Sequence, residues 1–208
     1  MEKVILTVLP GLFVKSTPWK NAHKYFFEGI YKETNDKSML MWMERGEDFI
    51  KGVNAAMLKI MPKATEQERA EETRKRFLEA ILKGIKLTPS LKNKEIINCF
   101  EKLKSKYKIA LITTSRLEAI NLILEELEMT DFFDIIEAQV RDENQNQIVE
   151  KFIKRCGKPL LFIGGDRNDA YYFCKSQGIK CVYANLENKD GNKDVISIKT
   201  VEELKSFL

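Results

Sequence analysis

The chain has 208 residues, 44% of them hydrophobic and 32% charged, the balance of a globular protein with a sizeable core rather than of a disordered tail. Its net charge of +4, from 35 Lys and Arg against 31 Asp and Glu, is scattered along the chain, which speaks against the concentrated basic surface of a nucleic-acid binder. The cysteines, Cys99, Cys156, Cys174 and Cys181, form no C-x-x-C pair, and the single histidine is His23. A structural zinc site is therefore not expected; reduced, buried thiols in a cytoplasmic protein are.

Taken in chain order, residues 4–14 are apolar behind Lys3, like a short signal-peptide core. Pro10-Gly11 interrupts the run, no small-residue cleavage site follows it, and it is too short to span a membrane. A buried strand at 4–9 is the expectation, with no membrane partner. From residue 18 to about 84 there is no strand-like run, and the pattern predicts helices, among them 19–32, 47–60 and 65–83. Thr65 with Glu68 is a capping-box signature at the start of the last of these. Further apolar runs at 109–112, 160–163 and 181–183 are continuous rather than alternating, which suits parallel strands covered on both faces. Helical patterns at 93–107, 117–127, 146–155 and 168–177 alternate with them; the first places Ile96, Ile97, Phe100 and Leu103 on one face. A last strand at 195–198 and a terminal helix at 201–208 complete the chain. This alternation predicts an α/β protein with a Rossmann-like, doubly wound parallel sheet. Residues 1–16 and 87–208 would form the core, and 17–86 an inserted α-helical cap.

In such a sheet, ligands bind beyond the carboxyl ends of the strands. The 160–163 run leads into Gly164-Gly165-Asp166-Arg167-Asn168-Asp169. Asp166 and Asp169 at a strand end suit a hard cation such as Mg²⁺, but the same residues also make an ordinary turn and helix cap. After 109–112 comes Thr113-Thr114-Ser115-Arg116, which at a helix start would make either an anion seat or a plain cap. His23 sits among Trp19, Tyr25, Phe26 and Phe27 without a motif partner, and a packing or surface role is expected. Met39, Met41, Trp42 and Met43 read as core of the helical insert, with an adaptable hydrophobic binding surface as the alternative.

The order of these features resembles the haloacid dehalogenase (HAD) superfamily, most closely its phosphoglycolate-phosphatase-like members with a helical cap. The features are an apolar strand, a helical insert, a strand ending in Thr113, the Phe132-Phe133-Asp134 segment and a strand ending in Gly165-Asp166-x-x-Asp169. The resemblance implies a phosphate-binding role for Thr113 and Thr114 and a metal-binding role for Asp166 and Asp169. It also implies a first motif, Asp-x-Asp-Gly-Thr, whose first Asp attacks phosphorus and ligates Mg²⁺ while the second acts as acid and base. Aligning that motif's glycine on Gly11 and the following serine on Ser16 lays the nucleophile on Val8 and the acid/base on Pro10. Neither side chain can do this chemistry, and Thr7 would need an activating base that the segment lacks. The family's third-motif lysine should fall near 140–147, where Arg141 is the only basic residue and an imperfect substitute. The resemblance therefore implies a site lined by Val8, Pro10, Thr113, Arg141 and Asp166, with no catalytic residue and at most weak Mg²⁺ binding. The function expected is that of a pseudoenzyme that binds a protein partner or a small phosphorylated ligand. A metal-dependent hydrolase with a rearranged site is the alternative.

Overall fold

A computed structural model describes residues 3–44, 49–165, 169–186 and 195–207, with only the backbone described at 44, 49 and 169. The elements are β1 (Val4–Thr7), α1 (Thr17–Thr34), α2 (Ser38–Glu44), α3 (Phe49–Ile60), α4 (Glu66–Leu87), α5 (Lys94–Leu103), β2 (Lys108–Arg116), α6 (Leu117–Glu126), β3 (Ile135–Gln139), α7 (Gln145–Cys156), β4 (Leu161–Gly164), α8 (Asp169–Ser176), β5 (Lys180–Ala184), β6 (Ser197–Ile198) and α9 (Val201–Lys205). Two compact units emerge: Met1–Ser16 with Ser90–Leu208, and Thr17–Pro89. The second junction lies slightly past the expected 86/87 boundary, because α4 continues to Leu87. Among the described residues no helix is long and apolar enough to cross a membrane.

The α/β unit is a parallel sheet in the order β3-β2-β1-β4-β5-β6. Strand order reverses between β1 and β4, which makes their carboxyl ends the switch point of a doubly wound fold. β1 and β4 are buried along their whole length, as continuous apolar runs require when helices cover both faces. Side chains alternate across a strand, so Val4 and Leu6 share one face. With Ala110, Ile112 and Phe162 of the neighbouring strands, they pack against Ile148, Val149 and Phe152 of α7 and Tyr171 and Cys174 of α8. Thr7 points to the other face, fully buried, and its hydroxyl donates to Ala110 O at 2.8 Å.

Beyond β1 the chain folds into a compact turn. Gly11 takes φ 83°, a left-handed conformation that glycine adopts without penalty, and its N–H donates to Val14 O at 2.7 Å. The turn is anchored to the start of α5: Lys15 N–H donates to Leu91 O (3.0 Å), Asn93 N–H to Phe13 O (2.8 Å) and Asn93 Nδ2 to Leu12 O (2.6 Å). Phe13 is fully buried at the centre of an aromatic group, with edge-to-face contacts to Phe100, Phe132 and Phe133 at centroid distances of 4.8, 5.1 and 5.3 Å.

The Thr17–Pro89 unit is helical among its described residues. The expected capping box at Thr65 and Glu68 is formed. Met39 is buried, and Trp42 packs on Gly52, as expected of core, whereas Leu40 and Met41 are exposed. His23 Nδ1 lies 2.8 Å from Lys20 O of its own helix.

Because Phe13 joins the turn after β1 to α5 and to the segment before β3, its truncation opens a cavity that backbone bonds cannot close. Phe13→Ala is expected to lower the unfolding free energy by about 4 kcal/mol, measured by urea denaturation.

Candidate functional site

The switch point brings together the ends of β1 and β4. Thr7 pairs with Ile163 and with Leu111, so Val8 follows beside Gly164 and Ile112. Val8 continues the Val4–Leu6 face and belongs to the same buried cluster, only 6% exposed. Gly165 is fitted against this segment: a Cβ there would lie 2.1 Å from Pro10 O and 2.9 Å from Val8 Cγ2. No side chain fits at that separation, so glycine is a requirement of the close approach. The two positions that the resemblance assigns to carboxylates thus adjoin Gly165. Asp166 lies outside the described residues, and of Asp169 only the backbone is described, as the first residue of α8.

Thr113 lies near the carboxyl end of β2, paired with Ala138 of β3. The expectation that Thr113-Thr114-Ser115 opens a helix is corrected. β2 runs on through a register shift to Arg116, and α6 begins at Leu117 with no side-chain cap. Extended backbone there leaves the hydroxyls on a strand end instead of over a helix dipole. Thr113 Oγ1 accepts from Ser115 N–H at 3.1 Å, and Thr114 is exposed.

Arg141 lies in the turn between β3 and α7, with its side chain exposed. What holds this turn is Glu143, whose Oε2 accepts from the N–H groups of Val140 and Arg141. These backbone bonds hold its carboxyl below the usual carboxylate range, and Lys151 adds to the effect. The clamp is therefore present at neutral pH and is lost as pH falls through that lowered value. The basic group nearest the end of β3 by contact is Lys151, one helical turn beyond the stretch where sequence reasoning looked. Its Nζ donates to Ala138 O (3.1 Å) and lies 3.3 Å from Glu137 Oε1 and 3.4 Å from Glu143 Oε1. Arg155 Nη2 also approaches Glu137, 2.7 Å from Oε2, but at an angle that leaves this buried oxygen without a hydrogen bond. Two carboxylates therefore already offset the Lys151 ammonium.

The start of α7 is similarly satisfied from within. Asn144 and Gln147 form a reciprocal capping box, at 2.9 and 3.0 Å, which uses two of the backbone donors that an anion would need. Beside it, the buried oxygens Gln145 Oε1 and Asn146 Oδ1 have no hydrogen-bond partner among the described residues. Sequence reasoning did not single out these amides, because neutral side chains carry no motif signal.

Among the described residues no cluster of three or more His, Cys, Asp or Glu could hold a metal ion. The β1 side of the switch point presents a buried valine and a proline, neither of which offers a side-chain oxygen. A hard cation requires a shell of oxygens, so this side does not fit Mg²⁺.

The steric requirement at Gly165 gives a paired prediction. Gly165→Ala is expected to destabilise the protein by more than about 2 kcal/mol, since a backbone carbonyl must move to admit the methyl. Gly29→Ala, on α1 where a Cβ meets nothing within 4 Å, is expected to stabilise it by about 0.5–1 kcal/mol. Thermal or urea unfolding of both variants measures the difference.

The sequence matches the profile of the haloacid dehalogenase-like hydrolases over residues 25–184, a match that begins after the segment holding Val8 and Pro10. No curated protein matches it in sequence. Among solved structures, it is similar to a haloacid dehalogenase-like family hydrolase from Streptococcus pneumoniae, with 19% identity, TM-score 0.61, and coverage of 100% of this chain and 99% of that one. It is also similar to a HAD phosphatase from Thermococcus onnurineus, with 20% identity, TM-score 0.63, and coverage of 98% and 96%. YfnB from Bacillus subtilis, described as bound to magnesium, is 13% identical with TM-score 0.60, over 99% and 97% of the two chains. These structural likenesses speak for the fold, and the profile match spans well over half of the chain. The chain belongs to the haloacid dehalogenase-like hydrolase family.

Proposed function

We propose that this chain is a catalytically silent member of its family, which works by binding a protein partner or a small phosphorylated ligand and not by phosphoryl transfer. The observation that carries this reading is Val8, 6% exposed within an apolar cluster and in contact range of Gly165. That is the place where the resemblance requires a nucleophilic, metal-ligating carboxylate. Valine has no lone pair to attack phosphorus, and Pro10 has no proton to give a leaving group. The one hydroxyl on β1, Thr7, is fully buried and already donates to Ala110 O. Loss of the nucleophile from a covalent mechanism costs several orders of magnitude in rate. Lys151 adds support, because it is held by Glu137 and Glu143 and would have to leave them to meet a phosphoryl group. Thr113, Thr114 and Arg141 remain the groups proposed to meet a phosphorylated ligand. The helical unit is proposed as the family's cap.

The purified chain is expected to show no Mg²⁺-dependent hydrolysis of an aryl phosphate above a buffer control. Val8→Asp with Pro10→Asp is expected to gain measurable metal-dependent turnover, and Val8→Asp alone less. Without Mg²⁺, Val8→Asp should also lower stability, by about 2 kcal/mol or more, because it places an unpaired carboxyl in an apolar cluster. Substantial turnover by the unmodified chain, abolished by Asp166→Ala, would instead establish a rearranged hydrolase.

A further inference from the structure

The described arginines divide into two groups. Arg76 pairs with Glu33 and Glu72, Arg155 meets Glu137, Arg69 donates to Ala64 O, and Arg74 also interacts with another group. Arg116 and Arg141 are exposed, and among the described residues no carboxylate, Asp142 and Glu118 included, forms an ion pair with either guanidinium. The two also stand close together. Arg116 ends β2 and is the register partner of Gln139, the last residue of β3, so Arg141 follows that partner by two residues. From strand spacing and residue length, their Cα atoms are no more than roughly 9 Å apart, a gap that two arginine side chains can close around one ligand. Both backbones are fixed. Arg116 is held by the sheet, while Arg141 N–H donates to Glu143 Oε2 and Gln139 Nε2 donates to Glu143 O. Those bonds, with Lys151, also commit Glu143, so it does not neutralise Arg141. Each arginine has an exposed apolar neighbour in the chain, Leu117 at 49% and Val140 at 65%.

We propose that Arg116 and Arg141 form a two-guanidinium seat for a phosphomonoester with an apolar organic part, which Leu117 and Val140 contact. This rests on the reading of the chain as a binder of a small phosphorylated ligand, and it adds Arg116 and the apolar flank to that reading. A phosphomonoester carries a charge of about −1.5 to −2 at neutral pH, which matches two guanidiniums; a single carboxylate would match one. Each guanidinium can offer two parallel N–H bonds to phosphoryl oxygens, and the exposed Thr114 adds a hydroxyl on the same strand end. Apolar surface left exposed on both sides of the charge favours a ligand that covers it. The seat lies on the β3 side of β2, whereas the switch point lies between β1 and β4, so it needs no group at Val8 or Pro10.

The test titrates phenyl phosphate and, separately, inorganic phosphate into the purified full-length chain in a calorimeter, and assays the recovered phenyl phosphate for hydrolysis. Phenyl phosphate is expected to bind at least about threefold more tightly than inorganic phosphate. Arg116→Gln and Arg141→Gln are each expected to weaken it by about tenfold or more. Lys154→Gln, which removes the same charge from an exposed pair with Glu150 on α7, is expected to leave it unchanged. Leu117→Ser is expected to weaken phenyl phosphate and not inorganic phosphate. All of these side chains are exposed, and unchanged thermal unfolding checks that each variant is folded. Hydrolysis of phenyl phosphate would overturn the catalytic silence proposed above and not this seat, which the variants read independently. The seat is overturned if no binding heat appears at millimolar phenyl phosphate, if Arg116→Gln binds as the unmodified chain does, if Lys154→Gln weakens binding equally, or if inorganic phosphate binds as tightly.

Discussion

The close approach of Gly165 to the carbonyl of Pro10 constrains everything at the carboxyl end of the sheet. A parallel sheet whose strand order reverses between β1 and β4 leaves a crevice where the strand ends part. Here the two ends stay near enough that a single methyl on Gly165 would collide with main-chain oxygen. The turn after β1 holds that geometry from the other side, through Gly11 at positive φ, the bonds to Leu91 and Asn93, and the burial of Phe13 among Phe100, Phe132 and Phe133. The end of β1 is thus held against Gly165, with Val8 and Pro10 at the positions where the resemblance implies carboxylates.

Catalytic groups tend to cost stability, because strained or uncompensated polar side chains must be held where chemistry needs them. A carboxylate at the end of β1 would extend the Val4–Leu6 face with a charge lying against Ile112, Phe162 and α7. Valine extends it with apolar surface, and its burial contributes on the order of 1.5–3 kcal/mol. Proline at position 10 adds a fixed φ just before the glycine turn.

Much of the fold was legible because its signals are local. Continuous apolar runs gave β1, β4 and β5, and Thr65 with Glu68 gave the start of α4. β3 was not read as a strand, because Glu137 interrupts its apolar run. That charge is tolerated only through Lys151 and Arg155 on α7, a tertiary pairing with no sequence signature. The Thr113–Ser115 stretch was read as a helix start because its residues favour caps, whereas pairing with β3 carries the strand on to Arg116. In the candidate site, motif order put Val8 and Pro10 in a pocket lining, whereas the structure buries Val8 in the core cluster beside Gly165. The Lys151 contacts were not legible, because a helix side chain reaches back over the preceding turn.

The claim that the end of β1 now supplies packing and no metal ligand is tested most directly by titrating Mg²⁺ into the purified chain in a calorimeter. The account predicts no saturable heat at millimolar Mg²⁺ for the unmodified chain, and saturable binding after Val8→Asp. Stoichiometric Mg²⁺ binding by the unmodified chain, lost in Asp166→Ala, would contradict it.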